Sequence, residues 1–324
     1  ENSVDNENTV VGYRAGFGIT TGRKNVAIGV NTMESGADGS YTVAIGHNAL
    51  QNGYGSVNTA LGAFAMRNTT SGESNAAVGF EAMLSNTDGE FNTAVGYEAL
   101  RNNVNGDYHI AIGYNTGTAF SSNNLNNTIG IGNNGTLHTI SNQVVIGNSA
   151  MTHIGGFQPW EVYSDARIKF DVREDIIGLD FIKRLRPVTY YRYVDKPALI
   201  TGNQPLHNFP DKYEVESIRQ SGFLAQEVEA AAVVSGYDFS GIHKPANDKS
   251  LYALSYESFV VPLVKAVQEQ QTMIENQQQL ISAQGKQLED QKAVINALLE
   301  EYINHEVRLT AIERSIQSNP NKTP

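Results

Sequence analysis

The chain has 324 residues, with 34 acidic against 23 basic side chains, a formal net charge of −11 and no cysteine. That balance argues against nucleic acid or an anionic membrane as partner, and the missing cysteines exclude disulfides, thiolate metal sites and a thiol nucleophile. No apolar run approaches the roughly 18 residues of a membrane helix, so membrane insertion is not expected.

Composition then changes along the chain. Of the 30 glycines, 24 precede residue 158, whereas only 16 of the Asp, Glu, Lys and Arg residues do. Two unlike architectures are joined, and three regions are expected: a repeat array over 1–158, a mixed α/β domain over 159–255 and a long helix over 256–324.

The array is visible in Asn58-Thr59-Ala60-Leu61-Gly62, Asn75-Ala76-Ala77-Val78-Gly79 and Asn92-Thr93-Ala94-Val95-Gly96. Looser copies end at Gly12, Gly29, Gly46, Gly113, Gly132 and Gly147, at spacings of 15 to 19 residues. A fixed period of this length predicts a parallel β-solenoid, in which stacked coils bury what one short strand cannot. Period-2 alternation puts Ala and Gly on one strand face and larger residues, such as Val26, Ile28, Val43, Ile45, Ile110 and Ile112, on the other. We expect the larger face to be the buried one. The strip of Ala and Gly would then admit a neighbouring backbone. The asparagines at the Gly-x-x-Asn corners are expected to hydrogen-bond along the stack.

These repeats resemble the head repeats of trimeric autotransporter adhesins, with motifs of the Asn-Ser-Val-Ala-Ile-Gly kind, over residues 8–150. Similar repeats occur in phage fibres. The resemblance implies a homotrimeric, left-handed parallel β-roll that presents a surface to a cell-surface glycan or protein receptor. An ice-binding face is not expected, because Thr59, Thr93 and Thr128 are interrupted by Val26 and Ala76.

Pro159 and the pair Gly155-Gly156 end the repeat geometry. Trp160, the single tryptophan, is expected to cap the open end of the solenoid. Then comes Ser164-Asp165-Ala166-Arg167-Ile168-Lys169. A serine and a lysine five residues apart can be a processing site, or equally a helix cap followed by a surface lysine.

Beyond it, Ile177, Phe181 and Leu185 have helical spacing until Pro187. Val188-Thr189-Tyr190-Tyr191-Arg192-Tyr193 reads as a strand, 195–218 as an irregular loop, 221–231 as a strand running into a helix, and Leu251-Tyr252-Ala253-Leu254 as a strand. From Val260 to Ile316 an apolar or aromatic residue recurs every seven positions, a coiled-coil signature in which Gln270, Gln277, Gln284 and Gln291 make the first half of the seam polar. A frayed tail is expected at 319–324. The histidines (47, 109, 138, 153, 207, 243 and 305) are scattered, so neither a metal site nor a cofactor is expected.

The segments Ser-Asp-x-Arg-x-Lys at 164, Gly-Leu-Asp-Phe-Ile-x-x-Leu-x-Pro-Val-x-Tyr at 178, Gly-Phe-x-Ala-Gln-Glu-Val-Glu at 222 and Leu-Ser-Tyr-Glu-Ser-Phe at 254 resemble the intramolecular chaperone of phage endosialidases and tail fibres, a self-cleaving serine peptidase family. The resemblance covers roughly 164–270. It implies that Ser164 is the nucleophile, Lys169 its general base and Tyr163–Ser164 the bond cut. The expectation is therefore a trimeric fibre at a cell surface, outside the cell or on a virion, whose chaperone drives assembly and then removes itself. The alternative is an adhesin that keeps this domain as a permanent trimerisation module.

Overall fold

The computed structural model describes residues 6–35, 38–117, 125–134 and 140–318; His138 and the expected tail at 319–324 lie outside them. Nine short strands form one parallel sheet in chain order: β1 (Thr9–Val11), β2 (Val26–Ile28), β3 (Val43–Ile45), β4 (Thr59–Leu61), β5 (Ala76–Val78), β6 (Thr93–Val95), β7 (Ile110–Ile112), β8 (Thr128–Ile131) and β9 (Gln143–Ile146). Equivalent residues pair across coils, as in Val26 with Val43, Ala27 with Ala44 and Ile28 with Ile45. The N-terminal half is a parallel β-solenoid, as the repeat period predicts.

Which face lies inside is the reverse of the expectation. Ala27, Ala44, Ala60, Ala77, Ala94 and Ala111 are fully buried. The flanking β-branched residues face outward and are partly exposed. The large interior side chains come instead from the segment after each strand: Met33, Leu50, Met66, Met83 and Leu100, packed with the alanine rows in one continuous core. A narrow coil cannot seat two large side chains facing each other at protein packing density, so alanine lines the strand side and Leu or Met fills the rest.

Those five residues sit in the left-handed region, with φ between 46° and 53°. Such a backbone costs about 1–2 kcal/mol per residue, and burying a Leu or Met side chain offsets it with about 1.5–3 kcal/mol. At the strand ends even this is impossible: a side chain on Gly62, at φ +137°, would overlap the Gly79 carbonyl of the next coil.

Polar groups inside the stack are joined by a ladder. The Asn75 backbone N–H donates to Asn58 Oδ1 at 2.9 Å, and Asn75 Oδ1 accepts the Asn92 N–H at 2.9 Å. Asn75 Nδ2 donates to the Gly89 carbonyl at 2.8 Å. Asn75→Ala strands the Asn92 N–H in a dry interior, while the Gly89 carbonyl keeps its bond from Asn86 Nδ2 at 3.1 Å. At about 1–3 kcal/mol for an orphaned buried group, a stability loss of about 1–3 kcal/mol is expected in denaturant titration.

The rest of the chain contributes α1 (Leu179–Ile182), β10 (Val188–Tyr190), α2 (Lys196–Thr201), β11 (Gln220–Gly222), α3 (Ala225–Ser235), β12 (Ile242–His243), β13 (Ala253–Leu254) and α4 (Val260–Gln317). Antiparallel pairs form between β10 and β11 and between β12 and β13. The helix expected over 175–185 shrinks to four residues, because Gly178 at φ −93°, ψ −96° is not helical. The expected loop 195–218 contains α2, which starts with Pro197 in its first turn, where its missing N–H costs nothing.

Two compact units interleave along the sequence. The first holds the solenoid together with Arg186–Val228 and Ile242–Leu254; the second holds Asp171–Leu185, Glu229–Gly241 and the C-terminal helix. In the second unit Phe181 is fully buried against Tyr237, Phe239 and Phe259, with ring centroids 5.0–6.4 Å apart. The Leu179 N–H donates to Glu269 on α4 at 2.7 Å. A side chain at Gly178 would lie 2.7 Å from the Ala266 backbone nitrogen, so glycine is what lets α1 start against α4. Beyond Ala266 the 58-residue helix exposes its whole heptad row, from Val267 to Ile316.

Candidate functional site

The chain leaves the solenoid through a segment without regular structure and meets a single 3-10 turn at Ala166–Ile168. Asp165 caps that turn. Its Oδ1 accepts the Arg167 N–H at 2.8 Å, and its carboxylate takes the Arg167 guanidinium through both oxygens, at 3.0 and 2.5 Å. The Arg167 side chain, and after it the Arg167 N–H, holds the Asp165 carboxyl below the usual carboxylate range. The turn closes with the Lys169 N–H on the Ala166 carbonyl at 3.2 Å.

A turn of this length brings its two flanks together. Lys169 Nζ lies 2.6 Å from Ser164 Oγ. The two residues singled out in the sequence are thus in direct contact, and the scissile carbonyl proposed for them belongs to the adjacent Tyr163. Both side chains are exposed. Around them Tyr163, Ile168 and Phe170 are exposed at 93%, 65% and 92%.

Trp160 does not cap the solenoid; it is 86% exposed. The last coils are covered from within the first unit by the segment around α2, where the sequence suggests only an irregular loop. Val194, Leu206 and Val215 form a buried cluster against Ala150. Arg192 donates to the Met151 carbonyl at 3.1 Å, and His207 meets the Tyr114 hydroxyl at 2.6 Å. An internal ion pair stiffens this segment. Lys212, almost fully buried, holds Asp195 at 2.9 Å and donates to the Leu206 carbonyl at 2.6 Å, while the Tyr213 hydroxyl donates to Asp195 at 2.7 Å. Burial alone would raise the Asp195 carboxyl, but the hydrogen bonds from Lys212 and Tyr213 outweigh it and hold the group low. No local motif announces these contacts, which join residues up to 93 positions apart.

His207 also ends a row of rings along the solenoid: His47, Phe64, Phe80, Tyr97 and Tyr114, with centroids 5.2–5.8 Å apart. Phe80, Tyr97 and Tyr114 stack nearly parallel. Their faces are spent on each other, which favours a stabilising spine over a sugar-binding platform, since a sugar needs a free ring face. Among the described residues no group of three or more metal-ligating side chains is gathered in one place, and no helix is long and apolar enough to cross a membrane.

Residues 164–236 match the family model described as chaperone of endosialidase. The match begins at Ser164, the residue in contact with Lys169, and ends within the segment after α3, so it is internal to the chain and stops short of α4. No curated protein and no solved structure matches the chain.

Proposed function

We propose that the segment from Ser164 onward is an intramolecular chaperone that gathers three copies of the chain, supports folding of their solenoids and is then cut away between Tyr163 and Ser164. The observation that carries this reading is the contact between Lys169 Nζ and Ser164 Oγ, at the first residue of the segment similar to the chaperone of endosialidase. The released product would be a fibre or surface head, on a virion or a cell, whose repeat array meets a glycan or protein receptor.

The proposed chemistry uses that contact. A serine hydroxyl is a poor nucleophile until a base takes its proton. Lys169 accepts that proton as Oγ attacks the Tyr163 carbonyl carbon. The proton then passes to the leaving Ser164 nitrogen as the C–N bond breaks, leaving an ester between Tyr163 and Oγ. Water hydrolyses the ester, giving a Tyr163 carboxylate and restoring the hydroxyl. Tethering supplies the nucleophile at high effective concentration, so no substrate pocket is needed.

A lysine serves as base only when desolvation disfavours its charged form. In the single chain Lys169 is exposed, ringed by the exposed Tyr163, Ile168 and Phe170. Assembly of three such segments would bury it, so that cleavage waits for assembly. Two further apolar surfaces support assembly: the outward row of Val and Ile on β2 to β9 and the exposed heptad row of α4. Mass spectrometry of purified chain over time, with light scattering on the same sample, tests the proposal. A trimer releasing a fragment that begins at Ser164 supports it, and a monomer overturns it. A second reading, a permanently attached trimerisation module, is favoured by the exposure of both dyad side chains and expects a trimer that stays intact.

Asp165 belongs to the turn rather than to the chemistry. Losing its cap loosens the turn that brings Lys169 to Ser164. Asp165→Ala is therefore expected to slow cleavage without abolishing it, read as the half-life of intact chain.

A further inference from the structure

The ladder of asparagines inside the solenoid has members of other kinds: a hydroxyl at Thr42, which takes the Asn58 N–H at 3.4 Å, and an imidazole farther along. At the seventh coil the place of Asn58, Asn75 and Asn92 is taken by His109, which is fully buried. Each asparagine plays two roles there: its Oδ1 accepts the backbone N–H of the next rung, and its Nδ2 donates to a carbonyl one coil ahead, as Asn92 does to Gly106 at 2.8 Å. The imidazole reproduces the first role. The His109 backbone N–H donates to Asn92 Oδ1 at 2.8 Å, and the ring Nδ1 receives the Thr128 N–H at 3.3 Å and lies 2.7 Å from Thr128 Oγ1. Nε2 is buried on the side of the Leu125 carbonyl, in the donor's place, without completing a bond of good geometry.

An asparagine side chain is acceptor and donor at every pH. An imidazole fills both roles in one form only, the neutral tautomer with its hydrogen on Nε2. We propose that His109 makes the joint between β7 and β8 an acid-sensitive rung of a ladder whose other rungs are pH-indifferent. Protonation places an N–H against the Thr128 N–H, so the backbone donor loses its acceptor. The Thr128 hydroxyl can turn to accept, which relieves part of the clash. It does not relieve the charge, which now sits in a dry interior.

The surroundings agree. Burial, the largest influence, pushes the His109 ring below the usual histidine range; the Leu125 carbonyl and the Asp107 carboxylate oppose it without reversing it. Asp107 is the charged group acting on this ring among the described residues. A base depressed in the folded state contributes stability that is fully present above its unfolded value, about 6.5, and lost as the pH falls below it. The joint is therefore expected to hold at neutral pH and loosen in acid.

The test compares the full chain with H109N between pH 8 and 5, by hydrogen exchange of peptides covering 105–117 and 125–134. H109N restores the ladder's own residue. After correction for intrinsic exchange, the parent is expected to open more readily by up to about tenfold per pH unit below about 6.5, and H109N is not. Parallel curves for the two proteins overturn the proposal. Should H109N fail to form the solenoid, the His109 ring is followed by NMR in the parent chain. A titration below the ordinary histidine range supports the acid-sensitive rung, and one at or above it overturns it.

Discussion

Ser164→Ala is expected to leave the purified chain intact under conditions in which the parent chain yields a fragment beginning at Ser164. The alanine removes Oγ, the atom placed 2.6 Å from Lys169 Nζ. Loss of a nucleophile removes the covalent route altogether, so a slowing of at least about a thousandfold is expected. Lys169 separates chemistry from architecture more sharply. Lys169→Arg keeps a positive charge and hydrogen-bond donors near Ser164, which suffices if the lysine only braces the turn. A guanidinium cannot accept the hydroxyl proton, so cleavage in Lys169→Arg should be as slow as in Ser164→Ala while the trimer persists. Parent-like release from Lys169→Arg would remove Lys169 from the role of base. Because the dyad is exposed in the single chain, the rate in the parent should also rise with protein concentration until assembly is complete.

How far the residues announced this arrangement depends on the range of each interaction. The coil period was legible because every copy repeats the same short-range signals: the glycine that only a positive φ suits and the asparagine that bonds to its counterpart. Ser164 and Lys169 meet because five residues and one turn connect them, whereas the spacing alone fitted a cap and a surface lysine equally well and only the resemblance assigned them roles. Alternation along Val43-Ala44-Ile45 identified two strand faces but could not say which is interior. That depends on the width of the coil, and hence on where Leu50 and Met66 point. Ala44 lies inside because those side chains already fill the lumen. The cover over the last coils was illegible for a different reason: His207 on Tyr114 and Val194 on Ala150 are contacts between segments with no shared pattern. His109 was visible in principle, since aligning the repeats sets it beneath Asn92, but its significance needs the burial and the bonds of the ladder.

The inverted faces make adjacent residues respond in opposite ways. Val78 stands on the outer row between Leu61 and Val95 of the neighbouring coils, whereas Ala77 is fully buried in the lumen. Val78→Asp puts a charge where it meets water in the single chain, so the coil and its asparagine ladder should survive. If the outer row is where three chains meet, burying that carboxylate costs several kcal/mol per chain, and assembly should weaken by at least about a thousandfold. Light scattering is then expected to find a folded monomer, and the bond at Ser164 should stay uncut because Lys169 is never desolvated. Ala77→Leu does the converse. It forces a large side chain into a filled lumen, at about 1–3 kcal/mol or more of overpacking, and should lower the stability of the solenoid itself at every protein concentration. A trimer that tolerates Val78→Asp would move the interface off this face. A solenoid unharmed by Ala77→Leu would show that the alanine row is not its interior. Because residues 77 and 78 share one strand, their backbone surroundings are nearly the same, and the contrast isolates the direction of the side chain.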